Sequence, residues 1–165
     1  MSGHVAVGYE LNHIKRYILK LILNLYPPLF FNRIRVKKIS LDFKEINVVL
    51  KKSIFNINFH KTIFGGSIFS ACDPYFPTMY YNIFKLKNKK LIIWVKDAEI
   101  KYIQPASSNL FLNFKIKSSQ IKEIESNLKT QGKYEIKNEV LAINKEGETC
   151  AQAVITTYLR DPKAY

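Results

Sequence analysis

The chain of 165 residues holds only two cysteines, one tryptophan and six glycines, and its arginines stop at Arg16, Arg33, Arg35 and Arg160. Two cysteines, Cys72 and Cys150, cannot build the multi-bridge framework of a small secreted domain. Both lie in apolar sequence, which predicts buried free thiols in a reducing compartment. His4, His13 and His60 have no zinc-ligand spacing, so no metal site is expected. Acidic residues are scarce as well: 13 against 26 basic, for a net charge of +13 and a pI near 9.7. Such a charge favours an anionic partner. Arginine, the residue that reads bases and phosphates bidentately, is nearly missing, and no recognition motif is present. Charge alone therefore gives no specific nucleic-acid partner. No uncharged apolar run approaches a membrane span. No basic segment followed by an apolar core and a small-residue cleavage site begins the chain. A soluble, cytoplasmic protein is the expectation.

What the chain does have is the material of a core, with 47% apolar residues and 13% aromatic. That suits one folded domain. Residues 11–26 read as an amphipathic helix, with Leu11, Ile14, Ile18, Leu21, Ile22 and Leu25 at helical spacing, stopped by Pro27 and Pro28. From residue 11 to 41 there are seven basic residues and no acidic one. Residues 11–31 therefore either pack on their own domain or make a peripheral contact with an anionic membrane. We expect a helical extension over residues 1–32 and the main domain over 33–165. Residues 36–52 look extended around a turn near Asp42, and 53–62 form a loop. Gly65 and Gly66 open an apolar, helical run to Phe84, which Pro74 and Pro77 should kink or split. Apolar alternation marks strands at 91–103, 110–116, 134–143 and 150–158, the last two joined by a turn at residues 144–147. Residues 121–128 are a short helix or an irregular link. The sum is an α+β domain, an antiparallel sheet of about five strands around one very apolar helix.

Asp73 is the only acidic residue between Glu45 and Asp97, a span with eight lysines. Inside an apolar run, a carboxylate costs several kcal/mol unless it is paired or hydrogen-bonded. Asp73-Pro74 fits an N-cap with proline in the first helical position, so one reading is structural. The other reading is chemical. Amides at a helix start are unpaired and sit at the positive end of the dipole, and glycines let a carbonyl come close. Gly65 and Gly66 could thus polarise a carbonyl oxygen. Asp73 is two helical turns further on and cannot easily reach that carbonyl. A second subunit related by a two-fold axis could supply it. Cys72 with His60 makes an unsupported nucleophile–base pair.

At Asn58, Gly65, Gly66 and Asp73, with their spacings of seven and eight residues, the chain resembles the hotdog-fold acyl-CoA thioesterase superfamily. The likeness is to the branch that contains the phenylacetate-pathway thioesterases. Residues 97–106, ending Tyr102-Ile-Gln-Pro105-Ala106, resemble the strand that follows the helix in that superfamily. The resemblance covers residues 33–160. It implies a long helix wrapped by a curved antiparallel sheet, a homodimer or homotetramer, and an active site at the dimer interface. Asp73 would be the nucleophile or the general base for water, Gly65 or Gly66 would hold the thioester oxygen, and Asn58 would orient water or the carboxylate. His60, Lys61, Thr62, Phe64 and Val95 would line the substrate site. Coenzyme A enters as part of the substrate, so no cofactor is expected. The sequence departs from the pattern at Phe64, where a histidine is usual, and at Val95, where relatives carry Ser or Thr.

Acyl-CoA hydrolysis is the leading expectation, with Lys61, Lys85, Lys87, Lys89 and Lys90 available to the phosphates of coenzyme A. Phe64, Phe69, Tyr75 and Phe76 either line an acyl site or belong to the core. The alternative is a non-catalytic acyl-ligand or membrane-surface protein.

Overall fold

The computed structural model describes residues 2–164, with side chains from residue 12 onward; His4 and Leu11 thus lie outside the described side chains. The order is α1 (Ser2–Leu25), α2 (Pro27–Phe31), β1 (Ile34–Ile39), β2 (Glu45–Leu50), α3 (Gly65–Cys72), α4 (Tyr75–Leu86), β3 (Ile92–Tyr102), β4 (Leu110–Lys115), α5 (Ser118–Gln131), β5 (Lys133–Ile143) and β6 (Thr149–Arg160). The strands form one antiparallel sheet in the order β1-β2-β4-β5-β6-β3. It has six strands, one more than expected. The segment expected to be extended over residues 36–52 around a turn near Asp42 forms two of them, β1 and β2, and the register of β1 shifts between Val36 and Lys38.

The sheet curves around α3 and α4, which touch β2, β3 and β6. Ile46, Val48 and Leu50 of β2, Leu110, Leu112 and Phe114 of β4, and Ala153, Ile155 and Leu159 of β6 face these helices and are buried. α4 answers with Tyr75, Phe76, Met79, Tyr80, Ile83 and Phe84, all buried along one helical face. The long central helix is in fact two, broken at Asp73 and Pro74. Pro74 has no N–H for the helical ladder and crowds the turn before it. Nor is the second piece buried all round: Tyr81 and Lys85 on its outer face are exposed. The link at 121–128 is a full helix. The Lys117 amide donates to Gln120 Oε1 (2.8 Å) at its start, and Gly132 ends it at φ 69°.

α1 lies along β1, the edge of the sheet, and is held there mainly by polar groups. Asn24 accepts from the Val36 amide through Oδ1 (2.8 Å) and donates to the Val36 carbonyl through Nδ2 (3.1 Å). Lys20 Nζ donates to the Lys37 carbonyl (2.8 Å). These side chains stand in for a missing neighbour strand and blunt an edge that would otherwise template association. β3, at the opposite edge, has no such cover among the described residues.

Candidate active site

The loop from Lys51 to Phe64 delivers the chain to the start of α3. Its tip is a tight turn built by Asn58. The Asn58 Oδ1 accepts from the His60 amide (3.0 Å) and the Thr62 amide (3.2 Å), and Nδ2 donates to Thr62 Oγ1 (2.9 Å). Lys61 occupies the left-handed region at φ 59° to close it. The Phe59, His60 and Lys61 side chains are exposed at this tip. The Ile63 amide donates to the Ala106 carbonyl (2.9 Å) and the Phe64 amide to the Asn56 carbonyl (2.8 Å), so both ends of the turn are fixed.

Gly65 and Gly66 are the first two residues of α3, where amides have no intrahelical acceptor. Tyr102, at the end of β3, donates its hydroxyl to the Gly65 carbonyl (2.9 Å) and lays its ring where a Gly65 side chain would be. A Cβ on Gly65 would sit 3.1 Å from Tyr102 Cζ. A Cβ on Gly66 would sit 2.4 Å from Cε1 of the exposed Phe64 ring. A side chain at 65 would therefore have to push the tyrosine ring back by a few tenths of an ångström. Tyr102 thus joins the candidate site by its contact with Gly65; its signal in the sequence is the Tyr-x-x-Pro-Ala ending of the strand.

Asp73 ends α3. Its backbone is helical and its amide donates to the Phe69 carbonyl (3.2 Å), while the N-cap position of α4 falls to Pro74 without any side-chain cap. The capping role is thus not taken. Among the described residues the Asp73 carboxylate has no hydrogen bond or ion pair. It is half-buried, and loss of water raises its pKa above the ordinary carboxylate value. Beside it, burial first and the Asp73 charge second push the Cys72 thiol up to about 12. A thiol with that pKa is protonated at neutral pH and is a poor nucleophile.

Eight residues of helix separate Gly65 from Asp73, about 12 Å at 1.5 Å per residue. Val95 is seven residues up β3 from Tyr102, about 20 Å along a strand. A single chain therefore brings together Asn58, Thr62, Phe64, Gly65, Gly66 and Tyr102, and keeps Asp73 and Val95 apart from them. Val95 pairs with Thr157 of β6, whose buried hydroxyl has no partner among the described residues. Tyr75 and Phe76 pack on Phe114 in the core, with ring centroids at 4.6 and 5.2 Å. They do not line an open site. Lys87 and Lys89 pair with Glu125 of α5 (2.8 and 3.7 Å).

An antiparallel sheet curved around two consecutive helices in this manner is the hotdog fold. The PaaI protein of the E. coli phenylacetic acid degradation operon superposes with a TM-score of 0.63 at 15% identity, covering 91% of this chain and 94% of that one. A thioesterase from Haemophilus influenzae gives 0.66 at 8% identity, covering 91% and 93%. A Chlorobaculum tepidum protein of unknown function gives 0.74 at 17% identity, covering 88% and 94%. Identities this low carry the fold and not the chemistry. The chain belongs to the family described as a domain of unknown function, DUF4442, which it matches over residues 15–159. No curated protein matches it.

Proposed function

We propose that the protein hydrolyses an acyl-CoA thioester to coenzyme A and a carboxylic acid, at a site shared by two copies of the chain. The observation that carries this reading is Asp73, a half-buried carboxylate left without a partner in a lysine-rich protein. A raised pKa makes such a group a better base. The unpaired β3 edge supports the second copy. Antiparallel pairing of two β3 strands about a two-fold axis sets the Val95 end of one beside the Tyr102 end of the other. The same axis carries the Asp73 of one copy toward the glycine amides of its mate.

In this reading the thioester carbonyl docks on the Gly65 and Gly66 amides. As general base, Asp73 takes a proton from water while the water oxygen bonds to the carbonyl carbon. The amides hold the oxyanion. The C–S bond then breaks, the sulfur leaves with its electron pair, and the proton on Asp73 returns to it. As nucleophile, Asp73 would instead attack the carbonyl carbon and expel the thiolate, forming an anhydride; water then cleaves it to the carboxylic acid and the free Asp73 carboxylate, and the proton that water gives up goes to the thiolate. Asn58 and Thr62 act through the turn that aims the glycines, and Lys61 and His60 stand at its rim for the phosphates. Phe64 presents an apolar ring to the acyl group. The Haemophilus protein of the same fold is called a thioesterase, which makes thioester hydrolysis the first chemistry to test. The test is thiol release from short, long and aryl acyl-CoAs by the wild type and by Asp73→Asn. Turnover should fall at least about a hundredfold in the variant; equal turnover by both proteins would refute the role of Asp73.

A further inference from the structure

The amphipathic helix α1 is docked the wrong way round for a helix that covers a core. At 100° per residue, Ile14, Tyr17, Ile18, Leu21, Ile22 and Leu25 fall within an arc of about 140°. Each of the six is between 52% and 61% exposed. Arg16, Lys20 and the buried Leu23 lie on the opposite side, and it is this mixed side that meets β1. The apolar arc is thus largely exposed, and one border of it, Ile18 and Ile22, lines an open groove against Pro77 and Tyr81 of α4.

A second group of exposed apolar residues follows it in the chain. Phe31 ends α2, and Ile54 and Phe55 protrude from the loop beside it at 82% and 66% exposure. The two segments are tied together: the Arg33 guanidinium lies 4.7 Å over the Phe55 ring, and Asn56 Nδ2 donates to the Asn32 carbonyl (2.8 Å). Residues 11–41 hold seven basic residues and no acidic one, and residues 46–72 add Lys51, Lys52 and Lys61, again with no acidic residue.

We infer that this surface docks on an anionic lipid bilayer, with α1 lying in the interface plane. An apolar stripe bordered by cations, with no carboxylate from residue 11 to residue 41, is complementary to such a surface on both counts. A second copy is a poorer occupant, since two such faces would bring like charges together across the apolar contact. Among the described residues no helix is long and apolar enough to cross a membrane, so α1 lies on the bilayer. Membrane docking needs no hydrolysis, and vesicle binding and thiol release succeed or fail separately.

The experiment is co-sedimentation of the full chain with vesicles of phosphatidylcholine, alone and mixed with phosphatidylglycerol, at low and high salt. Binding is expected to the anionic vesicles and not to the neutral ones, and salt should reverse it. The double variant Leu21→Glu, Leu25→Glu should bind at least about tenfold more weakly, because two charges enter the buried stripe. Its circular dichroism and elution volume should be unchanged, as both side chains are exposed. Ile54→Glu, on the adjoining loop, should weaken binding independently. Equal binding to neutral vesicles, or undiminished binding by both variants, would overturn the inference. So would a wild-type oligomer that the double variant splits, which would assign the arc to a second copy.

Discussion

Replacing Gly65 by alanine tests the contact that fixes the mouth of the site. The new Cβ would stand 3.1 Å from Tyr102 Cζ and 3.2 Å from the hydroxyl oxygen, tighter than ordinary van der Waals contact. Tyr102 is half exposed, so its ring can retreat by a few tenths of an ångström. That retreat weakens the 2.9 Å bond from its hydroxyl to the Gly65 carbonyl. Such a bond contributes about 0.5–1.5 kcal/mol. Alanine offsets this with up to about 1 kcal/mol of helix propensity over glycine. The two nearly cancel, so the melting temperature should move by no more than about 4 °C. Activity has no such compensation. A fraction of an ångström at an oxyanion donor should lower kcat by roughly ten- to a hundredfold. Thermal melts and thiol release on Gly65→Ala, Tyr102→Phe and the double variant complete a cycle. Coupling of about 0.5 kcal/mol or more is expected between the two positions. Additive stabilities, or full activity in Gly65→Ala, would refute the tyrosine clamp.

Two further outcomes are expected. Asn24→Ala removes both hydrogen bonds that clip α1 to Val36 and should cost about 1–3 kcal/mol by urea unfolding; a loss below about 0.5 kcal/mol would leave the edge strand protected by other means. Asp73 has a folded pKa above its unfolded one, so its charge opposes folding: stability falls as pH rises between the two values and stays lower above both. Asp73→Asn should therefore match or exceed wild-type stability at neutral pH while losing activity, and the wild-type rate should rise with pH through a pKa above the ordinary aspartate range. A variant less stable than wild type would contradict an unpaired carboxylate.

Local signals in the sequence were sufficient where the controlling physics is local. Proline at 74 dictates the break between α3 and α4, and Asn144 with Gly147 dictates the hairpin, whose turn closes at φ 87°. The extended character of β1 is legible from residue 36, but its start at Ile34 is not, because a bulge between Val36 and Lys38 interrupts its period. α5 was harder because only Ile121, Ile124 and Leu128 along its 14 residues are buried. Periodicity located the apolar arc of α1, yet it says nothing of which way the arc faces; side-chain bonds to an edge strand decide that. The site divides in the same way. Gly65, Gly66 and Asp73 were legible because a helix start and a lone carboxylate have characteristic chemistry. The Tyr102 clamp spans 37 residues of sequence, and only the fold brings it to Gly65. Asn58 was read toward water or the carboxylate, whereas its amide is engaged in its own turn, the commonest use of asparagine in a loop.

The central claim, a site made from the glycines of one copy and the Asp73 of another, is tested most directly by mixing defects. A differently tagged Gly65→Val and Asp73→Asn pair, co-expressed and purified as the mixed dimer, has one intact site of two if the site is shared. Thiol release should then return to about half the wild-type rate per dimer, although each parent alone is nearly inactive. A mixed dimer as inactive as its parents would mean that the glycines and Asp73 of the same chain work together, or that neither works as proposed.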